Sequence, residues 1–343
     1  EAGAHGAGQV IAGGQAPSSS AAIQRRAATA GGGWAFVPAS CHLTGAAGTD
    51  TLRGMRVFRH FANLPADVRG AAVAVGNFDG VHLGHREVIR EAGRIAQAAG
   101  IPWAVLTLEP HPRSVFEKDA PPFRLSPFPV KVRLIEALGP ELLVVIPFDA
   151  EFARTSPRGF VEQVLVGALG ARHVVCGHDF AFGHGRKGTP ELLLWMGDEF
   201  DFGFTCVHEV KDADGEPYSS SRIREYLRAG RPADAARLLG RPFVIEGEVV
   251  AGDARGRTIG FPTANVRLGE YVRPAMGVYA VRVRLDGESG EARPAVANLG
   301  LRPTFGGSEP LLEAHLFDFE GDLYGRMIEV ALVDFLRPEK KFD

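Results

Sequence analysis

The chain has 343 residues, of which 45% are hydrophobic and 23% charged, values typical of soluble globular proteins, and its length is enough for two or three domains. A net charge of -3 gives no support for a nucleic-acid partner. The sequence contains no apolar run near the roughly 18 residues that span a bilayer. Three cysteines without metal-ligand spacing indicate a reduced compartment. We therefore expect a soluble, cytoplasmic protein without nucleic-acid or membrane partners. The oligomeric state stays open.

Residues 1–54 differ from the rest of the chain. They are rich in Ala, Gly and Ser, lack apolar periodicity and begin without a methionine. Such a composition predicts a disordered or non-native extension, with no core of its own. Arg25 and Arg26 suggest a transit peptide, but acidic residues and scattered glycines argue against an amphipathic helix.

The segment 71–100 predicts a strand, a glycine-rich turn and a helix. Residues 71–75 are apolar, the turn reads GNFDGVHLGH over 76–85, and the helical period then continues to Gly100. This spacing brings His82 and His85 to the helix start, where free amides and the helix dipole favour an anion. A helix cap or a metal site is the alternative for two histidines. The neighbouring residues favour a phosphate site, namely Gly76, Asn77, Asp79, Gly80 and Gly84.

The chain then alternates apolar strands with amphipathic helices. Strands are predicted at 103–108, 142–147 and 171–176, and helices at 130–138, 156–169 and 189–196. This alternation is typical of an α/β fold with a doubly wound parallel sheet, which binds ligands beyond the carboxyl ends of its strands. His82, His111 and Asp179 each follow an apolar run, so we expect them on that rim.

A different pattern begins near Pro242. Residues 281–285 and 328–332 alternate in polarity, which predicts a small antiparallel β-barrel. The loop 252–265, GDARGRTIGFPTAN, combines glycines that let backbone approach a phosphate with arginines. Thr263 and Asn265 offer oxygen ligands for Mg²⁺. An ordinary surface loop is the alternative.

The turn motif resembles the HxGH signature of the nucleotidyltransferase superfamily, in the version carried by bacterial bifunctional riboflavin kinase/FAD synthetase. Three further segments resemble that family and occur in its order: TLEPHP at 107–112, GHDFAFGHGRKG at 177–188 and YSSSRIR at 218–224. The family usually has SST where this chain has three serines, which keeps the hydroxyl. The resemblance implies a Rossmann-like domain starting at Met55, so residues before it are best explained by a start assigned too early or a partial reading frame. A genuine flexible extension is the alternative.

The resemblance also implies roles for individual residues. His82 and His85 are expected to be catalytic, stabilising the ATP phosphates. The remaining ATP contacts of this domain are expected from Gly76, Asn77, Phe78, Asp79, Gly84, Ser220, Ser221 and Arg224. FMN is expected to contact His111, Pro112, Asp179, Phe180 and Phe182.

The barrel segment resembles riboflavin kinase through GFPTAN, GVYA, NLGLRPTF, EAHLFDF and Tyr324-Gly325, again in order. The acid that matches Glu313 is the base toward the ribityl 5′-hydroxyl in that family, and a solvated strand residue is the alternative here. Thr263 and Asn265 are expected to hold Mg²⁺. ATP in this domain is expected to contact Gly252, Arg257, Gly260 and Pro262.

These motifs predict an adenylyltransferase domain over 55–240 and a riboflavin kinase-like barrel over 241–343. The family usually continues with a helix that packs on the barrel, and we expect that helix to be missing here. The expected activity is phosphorylation of riboflavin by ATP to FMN, then adenylylation of FMN to FAD and pyrophosphate. One rival is a nucleotidyltransferase for another phosphate, such as phosphopantetheine, fused to an unrelated barrel. Another is a flavin or nucleotide sensor without turnover.

Overall fold

A computed structural model describes residues 25, 27, 49–52, 54–117, 119–250, 263–286, 288, 291–304 and 307–339. Within these residues the first part of the chain forms a seven-stranded sheet. Its strands are β1 (Thr49–Leu52), β2 (Met55–Phe58), β3 (Ala72–Val75), β4 (Trp103–Glu109), β5 (Leu142–Pro147), β6 (His173–Gly177) and β7 (Gly203–Val207). The helices are α1 (Leu83–Ala99), α2 (Pro112–Phe116), α3 (Phe128–Glu136), α4 (Pro157–Phe160), α5 (Pro190–Phe200), α6 (Ser220–Arg228) and α7 (Pro232–Leu239).

The sheet order is β1-β2-β5-β4-β3-β6-β7, and every pair except β1-β2 is parallel. From β3 the chain first builds β4 and β5 on one side, and later β6 and β7 on the other. The topological switch point therefore lies between β3 and β6. Ligands of such sheets bind in the crevice outside the carboxyl ends at this point, which is where the GNFDGVHLGH turn leaves β3.

Strand β3 and helix α1 form as their sequence patterns predict. All four residues of β3 are buried, as expected for a central parallel strand. The buried stripe of α1 follows the helical period through Val88, Ile89, Ala92 and Ala96. Gly100 ends the helix in the left-handed conformation, with a φ of 61°, where glycine has no steric penalty.

The helix predicted over 156–169 has a different geometry from the expected one. Ser156 caps its start by accepting a hydrogen bond from the Gly159 amide at 3.0 Å, but beyond Phe160 it continues as a π-helix, Val161–Ala168. A side chain at Gly167 would bring its Cβ within 2.7 Å of the Glu162 carbonyl. Glycine at this position therefore lets the wider turn form.

Among the described residues, the second part of the chain forms a closed, six-stranded antiparallel barrel ordered β10-β11-β12-β9-β8-β13. Its strands are β8 (Phe243–Val250), β9 (Thr263–Arg267), β10 (Gly277–Leu285), β11 (Arg293–Thr304), β12 (Gly307–Leu316) and β13 (Met327–Pro338). Alternate residues point inward, so that Val281, Val283, Val330 and Leu332 lie in its core. The predicted fold class, a parallel α/β sheet followed by a small barrel, is confirmed.

The barrel packs against the α/β part through the segment around Arg124 and through α6 and α7. Arg124 donates its backbone amide to the Glu270 carbonyl at 3.1 Å, and its carbonyl accepts from the Val272 amide at 2.8 Å. Leu125, Leu238 and Leu239 share a buried cluster with barrel residues. The two parts therefore share a continuous apolar interface.

An ionic strip crosses the barrel surface at this interface. Glu246, Glu329 and Arg284 are register neighbours on β8, β13 and β10, and Arg133 of α3 binds Glu246. Glu329 is only 3% exposed. Burial, followed by the charge of Glu246, raises the pKa of Glu329 to about 7, although Arg284 and Arg133 oppose the shift.

This raised pKa predicts a loss of stability as pH rises from 5 to 8. The folded protein holds the Glu329 proton more tightly than the unfolded chain, whose pKa for this group is near the ordinary 4.5. The stabilisation from the protonated carboxyl is therefore fully present below pH 4.5 and is lost as the pH rises through 7. We expect Glu329→Gln to remove up to about 3 kcal/mol of this pH dependence. The denaturant midpoints of the parent and of Glu329→Gln, measured across this pH range, test the prediction. If both midpoints change with pH in the same way, the prediction is wrong.

Two pieces of the 1–54 segment lie among the described residues. β1 pairs with β2 in antiparallel register from Thr49–Phe58 to Leu52–Met55, and Ala27 is buried and accepts a hydrogen bond from Arg282 Nε at 3.0 Å. Backbone pairing at a sheet edge needs no apolar periodicity, so this pattern could not reveal it. Apart from residues 25 and 54, the rest of 1–54 lies outside the described residues.

Candidate functional site

The turn after β3 has an unusual backbone. Phe78, Gly80 and Val81 have φ values of 50°, 86° and 42°, and this left-handed region is strained for Val81 in particular. The Phe78 ring is buried and meets the His85 ring edge-on, with centroids 5.4 Å apart. A Cβ at Gly80 would approach Leu125 to 2.9 Å. This conformation and its packing determine where α1 starts.

His82 and His85 lie together at that start. The rings stack with centroids 3.6 Å apart, and His82 Nδ1 accepts a hydrogen bond from the His85 amide at 3.3 Å. His82 is thus the helix cap, as the alternative interpretation held. However, accepting at Nδ1 assigns the proton of a neutral ring to Nε2, which remains a donor. Capping and anion binding are therefore compatible.

Both histidines lie in a positive electrostatic potential. Burial lowers the pKa of His85 to about 3, and Arg224 and Lys131 lower it further by their charges. Burial also lowers the pKa of His82 well below its usual range, with contributions from His85, Arg224 and Arg241, while Asp79 opposes the shift. The rings are neutral at pH 7, and nearby cations favour a bound anion.

Asp79 lies beneath the turn and is 2% exposed. Its carboxylate accepts hydrogen bonds from the Leu125 and Ser126 amides at 3.0 to 3.1 Å and pairs with Arg224 Nη2 at 2.6 Å. Ser220 Oγ donates to the Asp79 carbonyl at 2.9 Å. Asp79 was predicted to shape the turn and to bind nucleotide. Its contacts are those of a residue that shapes the turn.

We expect Asp79→Asn to destabilise the α/β part by about 3 kcal/mol, because it breaks a buried ion pair and places amide protons against backbone donors. The surrounding Arg224 and Arg124 charges, with the Leu125 and Ser126 amides, hold the pKa of Asp79 below 3.8 despite burial. The stabilisation is therefore present at pH 7 and lost as pH falls through the folded-state value. Thermal unfolding of both proteins at pH 7 tests this; equal midpoints would contradict it.

The Asp79 contacts bring a second helix start to the site. α6 is capped by Ser219, whose Oγ accepts from the Arg222 amide at 3.2 Å, and Ser220 and Ser221 form its first turn. A Cβ at Gly84 would lie 3.2 Å from Tyr218 Cβ, so glycine there allows the two helix starts to approach. Two positive helix ends therefore face the same space. Two nitrogens of Arg224 already have partners within the protein: Nη2 pairs with Asp79, and Nε donates to the Phe123 carbonyl at 2.7 Å.

The predicted FMN residues lie at the ends of β4 and β6. His111 caps α2 by accepting from the Arg113 amide at 3.1 Å; Pro112 is the first residue of that helix. Asp179 is exposed just after β6. Phe180 is half-buried and stacks on Phe182 with centroids 5.6 Å apart, whereas Phe182 is buried against Phe160 and Gly188. Phe182 thus supports Phe180 from the core.

Sequence reasoning missed a buried ionic group beneath this rim. Arg124 makes a bidentate pair with Glu109 at 2.8 and 3.0 Å, and Lys131 Nζ lies 2.9 Å from Glu109 Oε2. Glu109 lies in the TLEPHP motif, but no motif marks Arg124 or Lys131. Their signal was only a lysine and an arginine inside apolar stretches, which are costly to bury unless paired.

The barrel presents a second polar strip. Glu313 on β12 is the register neighbour of Asn265 on β9 and of Asn298 on β11, and Thr263 is opposite His315. Glu313 is exposed, while Asn265 is 3% exposed and its Oδ1 has no hydrogen-bond partner among the described residues. A buried amide oxygen without a partner suits an oxygen-seeking cation. The predicted contacts Gly252, Arg257, Gly260 and Pro262 lie outside the described residues.

Comparison with known proteins matches two separate regions of the chain to two families. The sequence model of FAD synthetase matches residues 64–222, and that of riboflavin kinase matches residues 239–343. A bifunctional riboflavin kinase/FMN adenylyltransferase of Haemophilus influenzae is 41% identical over 290 residues, covering 84% of this chain and 92% of that protein. The chain belongs to this bifunctional family. The Bacillus subtilis member is 42% identical over 280 residues, covering 80% of this chain and 86% of the relative.

The chain is also similar to a solved structure. The crystal structure of a macrolide-efflux protein from Streptococcus pneumoniae is similar to this chain with a TM-score of 0.73 and 34% identity, covering 84% of this chain and 92% of that one. The similarity therefore covers both the sheet and the barrel. Among the described helices, none combines the length and the apolar character needed to cross a bilayer.

Proposed function

We propose that this chain phosphorylates riboflavin with ATP to give FMN, and then transfers AMP from a second ATP to FMN to give FAD and pyrophosphate. The observation that carries the proposal is the presence of two separate polar sites in one chain, each within the region matched by the corresponding family. We assign the adenylyltransferase to 55–240 and the kinase to 241–343. The substrates are small molecules, and we infer a cytoplasmic location without nucleic-acid partners.

In the α/β part, His82 and His85 are proposed to donate hydrogen bonds to the triphosphate between the starts of α1 and α6. Ser220, Ser221 and the turn backbone would complete this contact. The FMN phosphate is already an anionic nucleophile, so alignment and charge stabilisation supply the catalysis. Asp179 and Phe180 would lie beside FMN, where the half-buried ring can pack on a flat ring system.

In the barrel, Glu313 is proposed to accept the proton of the ribityl 5′-hydroxyl during phosphoryl transfer. Thr263 and Asn265 would hold Mg²⁺, which neutralises charge on the ATP phosphates when bound. The unpartnered Asn265 Oδ1 supports this assignment. Because Glu313 and Asn265 are register neighbours, the proposed base and a proposed Mg²⁺ ligand lie side by side on one face of the barrel.

One incubation of the purified chain with riboflavin, ATP and Mg²⁺, followed by chromatography of the flavins, tests the proposal. We expect FMN to appear first and FAD to follow. A protein that binds flavin but forms neither product would be a sensor, and one that leaves riboflavin and supplied FMN unchanged while adenylylating another phosphate would be a different transferase. Either result would overturn the proposal. Parallel reactions with EDTA test the Mg²⁺ requirement.

A further inference from the structure

Lys131 is a buried cation outside the residues assigned so far. It lies on α3 with 0% exposure. Its Nζ is 2.9 Å from Glu109 Oε2, 3.2 Å from Thr107 Oγ1, and 3.4 Å from both the Asn77 and Leu108 carbonyl oxygens. One ammonium therefore joins the end of β4 to the Asn77–Phe78 peptide in the turn after β3.

Thr107 completes this link. Its hydroxyl donates to the Asn77 carbonyl at 3.1 Å, so its lone pairs are available to accept from Lys131. The Asn77 carbonyl thus receives two donors. The next residue, Phe78, has the left-handed backbone that brings its ring against His85. Movement of the Asn77 peptide would therefore be transmitted through the Phe78 ring to the His85 ring.

We propose that Lys131 is a positioning residue for adenylyl transfer: its ammonium holds the Asn77 carbonyl, and so the turn carrying His82 and His85, in the orientation the reaction needs. The inference rests on the proposed adenylyltransferase function. Lys131 also contributes positive charge beneath the site, since it lowers the pKa values of His85 and His111. The charged groups that act on Lys131 are Glu109, Arg124 and Asp79.

Lys131→Met tests the proposal because it keeps the length and removes the charge. Glu109 retains its bidentate pair with Arg124, so no buried carboxylate is left unpaired. We expect kcat for FAD formation from FMN to fall about 10- to 100-fold, since small misplacements of catalytic groups have effects of this size. Riboflavin phosphorylation should keep its rate, and NMR titration should show an upward shift of the His85 pKa.

Arg133→Met is the matched control. Arg133 is also a buried cation on α3, but it faces Glu246 of the barrel, so its loss should leave kcat for FAD formation within about twofold of the parent. An equal fall in both variants, or an unchanged kcat in Lys131→Met, would overturn the inference.

If Lys131→Met does not fold, Thr107→Val replaces it as the test variant and should lower kcat for FAD formation several-fold. An unchanged kcat in Thr107→Val overturns the inference. A parent protein that makes no FAD would instead refute the adenylyltransferase function.

Discussion

Replacing His85 with alanine is expected to abolish FAD formation from FMN and ATP while leaving phosphorylation of riboflavin intact. The imidazole lies at the start of α1, is neutral at pH 7, and is surrounded by cations. Its proposed role is to donate a hydrogen bond to charge that develops on the phosphates. Loss of one such donor typically lowers the rate about 10²- to 10³-fold. Product analysis with FMN and with riboflavin as separate substrates measures the two activities.

His173→Ala provides a matched control for this experiment. His173 is a half-buried histidine at the opposite, amino end of the same sheet, where its Nε2 is 2.8 Å from Thr205 Oγ1. We expect a loss of stability in this variant with little change in kcat for FAD formation. Equal loss of FMN and FAD formation in His85→Ala would contradict the assignment of separate sites to the sheet and the barrel.

The sequence predicted an element correctly where its hydrogen bonds and burial depend on residues that are close together in the chain. The apolar run of β3, the caps at Ser156 and Thr189 and the alternation in β10 and β13 all follow from neighbouring residues, and the structure confirms these elements. α6 and α7 were missed, although Ser219 precedes one and Pro232 and Gly240 delimit the other. The residues at the ends of these two helices could have predicted them, but helices this short show little hydrophobic periodicity.

The candidate site shows the same difference between local sequence signals and long-range contacts. His82, His85 and Glu313 were identified as candidates from motifs, whereas the contacts that fix the turn join residues far apart in the chain. Asp79 binds backbone amides 46 and 47 residues away and Arg224 at a separation of 145 residues. Lys131 reaches a carbonyl 54 residues earlier. Which buried charges pair depends on tertiary packing, so a single sequence does not reveal it.

Replacing Glu313 with glutamine is expected to stop phosphorylation of riboflavin while FMN supplied from outside still becomes FAD. The substitution keeps the size and the hydrogen-bonding oxygen but removes the group proposed to accept the hydroxyl proton. General-base contributions are typically about 10²- to 10⁴-fold. The variant should therefore accumulate neither FMN nor FAD from riboflavin, and chromatography of parallel reactions started with riboflavin or FMN measures both steps.

Glu309→Gln separates the proposed base from a general effect of losing charge on this strand. Glu309 lies four residues from Glu313 on β12, and so on the same face, and it pairs with Arg267 at 3.6 Å. A carboxylate engaged only in a surface ion pair contributes little to stability, so this variant should phosphorylate riboflavin like the parent. If Glu313→Gln also works at the parental rate, Glu313 is a solvated strand residue. Another acceptor would then have to take the proton, with the neighbouring His315 as the first side chain to replace.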